Sequence, residues 1–113
     1  MRTLKTLLFL IGLFTGSTSF GQSKDTTVTF KVYGNCEMCK STIENAVDVK
    51  GVKTADWNIK TGLITLTYQQ QKITLDKIHE LIAAAGYDTD QKTADSAIYK
   101  NLTPCCQYER KKQ

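Results

Sequence analysis

The chain has 113 residues, of which 41% are hydrophobic, with fifteen basic and eleven acidic side chains. This length allows one small domain with a single core, but not two. The formal charge of +4 falls to about +2 when Arg2 and Lys5, in the leader described next, are set aside, so no nucleic-acid partner is indicated.

The first 21 residues have the pattern of a signal peptide. Arg2 and Lys5 precede an apolar run at 7–14, and small residues at 19–21 offer a cleavage site before Gln22. The apolar run is too short to span a bilayer as a stable helix. We therefore expect a mature protein that does not span the membrane and is periplasmic or secreted.

A strand and a helix are predicted first after the leader. Segment 26–33 alternates apolar and polar side chains, which indicates a half-buried strand. Its inner face carries Val28, Phe30 and Val32. Asn35 is a competent N-cap for a helix over about 36–49. One face of this helix carries Cys39, Ile43, Ala46 and Val47.

Two further strands are predicted at 52–59 and 63–68, because both segments alternate in the same way. Thr61 and Gly62 supply the turn, and so short a connection implies an antiparallel hairpin. The inner-face residues of this hairpin are Ala55, Trp57, Ile59, Ile64, Leu66 and Tyr68.

A second helix is predicted over 75–85, with Thr74 as its N-cap and Gly86 as its stop. The apolar stripe of this helix consists of Leu75, Ile78, Leu81, Ile82 and Ala85. His79, the only histidine, lies off that stripe, so we expect it to be an exposed surface residue.

The remaining chain completes the fold prediction. The polar segment 88–93 allows only a short fourth strand, and Asp95 or Ser96 would cap a short final helix that Pro104 ends. The element order is then β-α-β-β-α-β, a ferredoxin-like α+β sandwich with both helices on one face of the sheet, a weak fourth strand and a short C-terminal helical tail.

Four cysteines carry the chemistry of this sequence. Cys36 and Cys39 form a C-x-x-C at the start of the first helix, whereas Cys105 and Cys106 are adjacent. Neither close pair would constrain a long loop as a disulfide, so a stabilising framework is not the whole explanation of these cysteines. At the helix start, the positive end of the helix dipole is expected to lower the cysteine pKa toward the thiolate, which binds metal.

Soft sulfur ligands favour Cu(I), with Zn(II) or Hg(II) as alternatives. Cu(I) needs only two sulfurs, whereas a closed structural zinc site needs four ligands. The sequence therefore predicts an exposed dithiolate at Cys36 and Cys39 that binds a soft ion.

The run Gly34-Asn35-Cys36-Glu37-Met38-Cys39-Lys40 at a helix start, with Gly51-Val52, Thr61-Gly62 and Ala85-Gly86-Tyr87, resembles the heavy-metal-associated domain. The resemblance divides the chain into a signal peptide at 1–21, this domain at 22–92 and a C-terminal extension at 93–113. It implies binding of a soft ion, Cu(I) in the favoured case, for transfer or sequestration outside the cytoplasm. The implied partner is a metal-transporting ATPase or another metal-accepting protein, and no enzyme activity is implied.

Two positions depart from the pattern of the family. Gly34 stands where the family usually has a methionine, two residues before the first cysteine, and Met38 lies between the cysteines instead. We expect Met38 to pack under the loop, with a direct thioether bond to the metal as the less favoured alternative. Tyr87 either shields the site or simply packs.

The C-terminal extension offers two interpretations. Cys105 and Cys106 could fold back and add one or two sulfurs to the C-x-x-C, which would favour zinc or a tightly sequestered Cu(I). Alternatively, these cysteines form structural or intermolecular disulfides in an oxidising compartment.

A second function remains open from the sequence. A thiol-disulfide oxidoreductase could use Cys36 and Cys39, with the adjacent pair as resolving thiols. The surroundings of the C-x-x-C lack the Trp-Cys-Gly-Pro-Cys sequence of thioredoxin-like proteins, and Pro104 is the only proline.

Overall fold

The computed structural model describes residues 24–111, so the predicted signal peptide and its cleavage site lie outside it. The elements are β1 (Asp25–Lys31), α1 (Glu37–Ala46), β2 (Val52–Trp57), β3 (Leu63–Gln69), α2 (Leu75–Ala84), α3 (Ser96–Lys100) and a 3₁₀ turn (Pro104–Cys106). Across this range, no helix combines the length and the apolar character that crossing a bilayer requires.

The three strands form one antiparallel sheet in the order β1-β3-β2. Phe30 of β1 and Trp57 of β2 both pair with Ile64 of β3, so these three side chains lie side by side on one face. On the other face, the hydroxyls of Thr29 and Thr65 are hydrogen-bonded across β1 and β3 at 3.1 Å. The alternation seen in the sequence therefore sets the register of the sheet.

Both helices pack on the apolar face, as predicted, and the two-layer ferredoxin-like fold is confirmed. Residues that are less than 2% exposed at the centre of this core are Val32, Cys39, Ile43, Val47, Trp57, Ile64, Leu66, Ile78, Ile82 and Tyr87. Trp57 is fixed by its indole N–H, which donates to the carbonyl oxygens of Val32 and Gly62 at 3.0 and 3.1 Å. Trp57 thus links β2 to the residue after β1 and to the residue before β3.

The helix ends follow the predicted caps in most cases. The Thr74 hydroxyl accepts a hydrogen bond from the Lys77 N–H at 3.1 Å, and the Asp95 carboxylate accepts one from the Ala97 N–H at 2.8 Å. Two helices are shorter than predicted. α1 ends at Ala46 and not near residue 49, and α3 ends at Lys100 and does not continue to Pro104. Pro104 starts a 3₁₀ turn of its own after α3 has ended.

The predicted β2 also extends too far, to residue 59. Asn58 ends the strand, because its side-chain oxygen accepts hydrogen bonds from the N–H groups of Lys60 and Thr61 at 2.9 and 3.1 Å. This local turn replaces the ladder bonds that a longer strand would make.

The weak fourth strand amounts to a single isolated bridge between Val32 and Thr89. The chain turns away from the sheet there, because the Thr89 hydroxyl accepts hydrogen bonds from the N–H groups of Gln91 and Lys92 at 3.1 and 2.9 Å. The predicted segment thus contacts the outer edge of β1 without continuing along it.

His79 is buried, so the prediction of an exposed histidine is wrong. Its ring stacks on Phe30 with 4.0 Å between ring centres, and Nδ1 lies 2.6 Å from the hydroxyl of Thr89. Nε2 has no hydrogen-bond partner among residues 24–111. Burial lowers the pKa of His79, although the carboxylates of Asp90 and Asp76 oppose this effect.

This burial makes the stability of the fold depend on pH near neutrality. The unfolded chain takes up a proton at its histidine below about pH 6.5, whereas the folded protein resists protonation. We expect the free energy of unfolding to fall between pH 6.5 and pH 5 by up to about 1.4 kcal/mol per pH unit. Urea unfolding of the parent and of a His79→Leu variant would measure this, and an equal slope in the variant would contradict the assignment.

Candidate metal centre

Three of the four cysteines meet where α1 begins. Cys36 is the N-cap residue of α1 and Cys39 lies in its first turn, which places their sulfurs 3.2 Å apart. The 3₁₀ turn brings the Cys106 sulfur to 3.7 Å from that of Cys36, and all four cysteines are free thiols. The structure thus joins the C-x-x-C to a residue 70 positions away in the chain.

The geometry of this cluster suits a single ion. Within residues 24–111, Cys36, Cys39 and Cys106 form the one group of three or more His, Cys, Asp or Glu ligand atoms that lie within 4.8 Å of one another. Sulfurs bound at about 2.3 Å from a metal are about 3.8 to 4.0 Å apart in tetrahedral or trigonal geometry. The 3.7 Å between the sulfurs of Cys36 and Cys106 is close to this range, whereas those of Cys36 and Cys39, at 3.2 Å, would have to separate slightly to bind one ion.

Asn35 does not cap α1, which corrects the sequence prediction. The N-cap residue is Cys36, and it makes no side-chain cap bond. The Asn35 side-chain oxygen instead accepts a hydrogen bond from the Cys39 thiol at 3.1 Å. Asn35 therefore orients a cysteine of the cluster and leaves the first N–H groups of the helix uncapped.

The small size of Gly34 leaves room for the indole ring of Trp57 next to the C-x-x-C. A Cβ atom at position 34 would lie 3.0 Å from Cζ2 of Trp57 and 3.3 Å from Cβ of Cys39. These contacts are tight, so a side chain as large as methionine at this position would require the indole ring to shift. The departure at Gly34 is thus matched by the tryptophan on β2.

Cys106 is positioned by the segment that follows it. The Tyr108 hydroxyl donates to the Gly86 carbonyl oxygen and accepts from the Asp88 N–H, both at 2.8 Å. The Arg110 guanidinium binds both carboxylate oxygens of Asp88 at 2.7 and 3.0 Å. These contacts fasten the C-terminal segment to the chain just after α2, so that Cys106 faces the C-x-x-C.

The expected low pKa of the C-x-x-C is wrong for Cys39. Its side chain is fully buried, and this burial raises the pKa of the Cys39 thiol to about 12. Loss of hydration outweighs the dipole of the helix at this position. The prediction of an exposed pair is likewise wrong, because only Cys36 retains partial exposure.

The pKa of the Cys106 thiol is shifted in the opposite direction from that of Cys39. Burial opposes its ionisation, but the neighbouring Thr103, Cys39 and Tyr87 stabilise the thiolate and lower the pKa of Cys106 to about 7. A cation that binds all three sulfurs would displace the remaining protons, so binding would release protons to the solvent.

Tyr87 is buried next to the cluster and not merely packed in the core. Its hydroxyl makes no hydrogen bond of standard geometry within the described residues. Burial first, and the neighbouring Cys106 thiol second, raise the pKa of Tyr87 well above its usual range. A neutral O–H group therefore stays available next to the sulfurs.

Met38 and Cys105 lie outside the cluster, on the surface. Met38 is 51% exposed, so the prediction that it packs under the loop is wrong. The Cys105 sulfur is 3.7 Å from that of Met38 and 3.9 Å from that of Cys106. These two exposed sulfurs adjoin the three-thiol cluster without being part of it.

Three residues that anchor the C-terminal segment, Asp88, Tyr108 and Arg110, were not predicted from the sequence. Cys106, Tyr108 and Arg110 point inward, whereas Gln107 and Glu109 are exposed. This alternation is the period of an extended segment with one buried face, and it is visible in the sequence. Asp88 gave no comparable signal, because a carboxylate in a polar segment is typical of a loop.

Comparison with known proteins shows which family this chain resembles. The model of the heavy-metal-associated domain matches residues 29–88, which include Cys36 and Cys39. The copper chaperone CopZ of Staphylococcus aureus (strain JH9) is 33% identical over 55 residues, which cover 48% of this chain and 81% of that protein. The copper chaperone CopZ of Staphylococcus saprophyticus is 33% identical over 64 residues, which cover 55% of this chain and 94% of that protein.

A solved structure gives the same result. The crystal structure of oxidised MerP from Ralstonia metallidurans CH34 is 30% identical in sequence and superposes with a TM-score of 0.56, covering 59% of this chain and 96% of MerP. The family match ends at residue 88, so the C-terminal segment that carries Cys106 lies outside it. Because that match includes more than half of the 113 residues, the chain belongs to the heavy-metal-associated domain family.

Proposed function

We propose that this protein binds one soft metal ion, Cu(I), through Cys36, Cys39 and Cys106, and that it transfers or sequesters the ion outside the cytoplasm. The observation that carries the proposal is the group of three sulfurs whose ligand atoms lie within 4.8 Å of one another. Two of the three belong to the C-x-x-C within the family match, and the third comes from the C-terminal segment.

The ligand set supports a soft ion. Three sulfurs without a carboxylate or imidazole favour Cu(I) over hard cations such as Mg²⁺ or Ca²⁺. A closed zinc site needs a fourth ligand, so Zn(II) bound here would keep an open position. Hg(II) remains the soft alternative to Cu(I). Relatives named copper chaperones, at 33% identity, support the same choice.

The surroundings of the cluster support tight but reversible binding. The buried Tyr87 hydroxyl, which has no standard hydrogen bond in the described part of the chain, can donate to a metal-bound thiolate. Cys36 is partly exposed, so an incoming sulfur ligand of a partner can reach the ion from that side. We propose transfer by ligand exchange to a metal-transporting ATPase or another metal-accepting protein.

The proposed location depends on the sequence of residues 1–21. A positive start, a short apolar run and small residues before Gln22 are typical of an exported protein. We propose a periplasmic or secreted protein that holds Cu(I) without catalysing a reaction. Western blotting of fractionated cells for the processed chain would test export.

The alternative, a thiol-disulfide oxidoreductase, has less support. The sulfurs of Cys36 and Cys39 are close enough for a disulfide after a small movement, since they are 3.2 Å apart. However, the burial that raises the pKa of Cys39 disfavours a reactive thiolate there. The C-x-x-C also lies in a β-α-β-β-α order and not in a thioredoxin-like setting.

A metal competition experiment tests the proposal. We expect the reduced protein, kept without oxygen, to withdraw one equivalent of Cu(I) from a chromogenic chelator and to retain it against an excess of Zn(II). Insulin reduction by dithiothreitol, monitored by turbidity, should show no acceleration by the protein. Failure to retain Cu(I), or clear turnover of insulin, would reject the metal-carrier function.

A further inference from the structure

Two sulfurs lie at the surface beside the three-thiol cluster. The Met38 side chain projects from the first turn of α1 and is 51% exposed, although a methionine usually gains stability by burial. Its sulfur accepts a hydrogen bond from the Thr103 hydroxyl at 3.2 Å and lies 3.7 Å from the Cys105 sulfur. The segment that carries Cys106 thus also fixes a thioether and a thiol next to each other.

The surface pair continues into the cluster without a gap. The Cys105 sulfur lies 3.9 Å from that of Cys106, which in turn lies 3.7 Å from that of Cys36. Cys39, 3.2 Å further, is fully buried. Five sulfurs therefore form a continuous series from solvent to core.

We propose that Met38 and Cys105 form a second, outer binding site for Cu(I), from which the ion passes to Cys106 and the inner cluster. The choice of Cu(I) as cargo rests on the proposed function. A thiolate with a thioether is a soft ligand pair, and two sulfurs 3.7 Å apart can bind one ion after a small adjustment.

The chemistry of the outer site is ligand exchange without electron transfer. The Cys105 thiol releases its proton to the buffer, its sulfur forms a bond to Cu(I), and Met38 donates a lone pair. For inward transfer, the Cys106 thiol releases its proton and its sulfur binds Cu(I) as the bond to Met38 breaks. The Cys36 and Cys39 thiols then lose their protons and bind the ion as the bond to Cys105 breaks and the Cys105 thiolate takes up a proton. The oxidation state of copper stays the same throughout.

The outer site is expected to bind more weakly than the inner one. It has two sulfurs, one of them neutral, and both are exposed to water and to competing ligands. Zinc, which prefers four ligands, gains little from such a pair. The site therefore favours rapid capture and release of Cu(I), whereas the cluster of Cys36, Cys39 and Cys106 favours retention.

Stoichiometry distinguishes the two sites. We expect the reduced parent protein to bind two equivalents of Cu(I) in the presence of a weak competing ligand, and only one against a strong chelator. Met38→Leu, which keeps the size of the side chain, and Cys105→Ser should each bind one equivalent under both conditions. Both variants should still bind the first equivalent against the strong chelator, because neither change removes one of the three inner thiols.

A relocated thioether provides the matched control. In the double variant Met38→Leu/Leu63→Met the methionine count is restored at an exposed position on β3, and we expect one equivalent only. The outer site is rejected if the parent binds a single equivalent, or if Met38→Leu retains the second one with parental affinity. If the parent binds no equivalent of Cu(I) against the strong chelator, the proposed function is rejected instead. The failure of the outer site and the failure of the proposed function are therefore distinguishable.

Discussion

Replacing Cys36 and Cys39 together by serine is expected to lower the Cu(I) affinity of the reduced protein by more than about 10⁴-fold. Even a residue that only orients a metal ligand changes affinity by about 10- to 100-fold, and this variant removes two ligands outright. Competition with a chromogenic Cu(I) chelator in the absence of oxygen measures the change. Ser41→Ala, at an exposed position of α1 that belongs to neither proposed site, is the matched control.

The Cys106→Ser variant separates a two-sulfur site from a three-sulfur site. We expect it to retain one equivalent of Cu(I) with an affinity about 100-fold below that of the parent, because Cys36 and Cys39 still provide two sulfurs. Parental affinity in this variant would restrict the site to the C-x-x-C. If the Cys36→Ser/Cys39→Ser variant bound Cu(I) within tenfold of the parent, the proposed site itself would be wrong.

The second large effect is expected at the ion pair that anchors the C-terminal segment. The Asp88 side chain is 1% exposed and Arg110 is 22% exposed, so removing the arginine leaves a carboxylate buried without its cation. We expect Arg110→Gln to lower the free energy of unfolding by about 3 kcal/mol, which urea unfolding monitored by Trp57 fluorescence would measure. Lys60→Gln, at an exposed position, should change stability by less than about 0.5 kcal/mol.

The ion pair of Asp88 and Arg110 is expected to make the stability of the fold depend on pH. Burial would raise the pKa of Asp88, but the Arg110 guanidinium and the Ala94 N–H outweigh burial and lower it. The ion pair therefore contributes stability above the ordinary carboxyl pKa of about 3.9, and this contribution is lost as the pH falls through the lower folded-state pKa. We expect the difference in stability between parent and Asp88→Asn to narrow below about pH 4.

A double variant tests whether the effect belongs to the pair. Asp88→Asn/Arg110→Gln should cost less than the two single variants added together, because neither residue then leaves an unpaired partner. Strict additivity would mean that Asp88 and Arg110 act separately. It would remove the ion pair as the reason for the position of Cys106.

Much of the fold was predictable because its elements depend on local signals. Alternation in the strands, the Thr74 cap and the left-handed glycines Gly51 and Gly86 specify elements that form nearly as expected. His79 was mispredicted for a tertiary reason: its position off the apolar stripe of α2 gives no hint that Phe30 and Thr89 cover it. Helical periodicity describes one element and cannot anticipate what a neighbouring loop buries.

The candidate site was only partly predictable for a similar reason. The C-x-x-C and its place at a helix start are local, so Cys36 and Cys39 could be named from the sequence. Whether Cys106 or Cys105 joins them depends on contacts between segments that are distant in the chain, such as Arg110 with Asp88. The low pKa was predicted for the wrong thiol because burial, which the sequence does not give, outweighs the dipole at Cys39.

The distance along the chain between Cys36 and Cys106 has a consequence for the tolerance of this protein to heat. An ion held by both sulfurs closes a loop of 70 positions, and a permanent cross-link of that span removes conformational entropy from the unfolded chain worth about 4 kcal/mol. If the protein binds Cu(I) as proposed, the ion would stabilise the folded chain, so that the protein melts at a higher temperature with the ion than without it. Release of the ion would then also lower the stability of the protein.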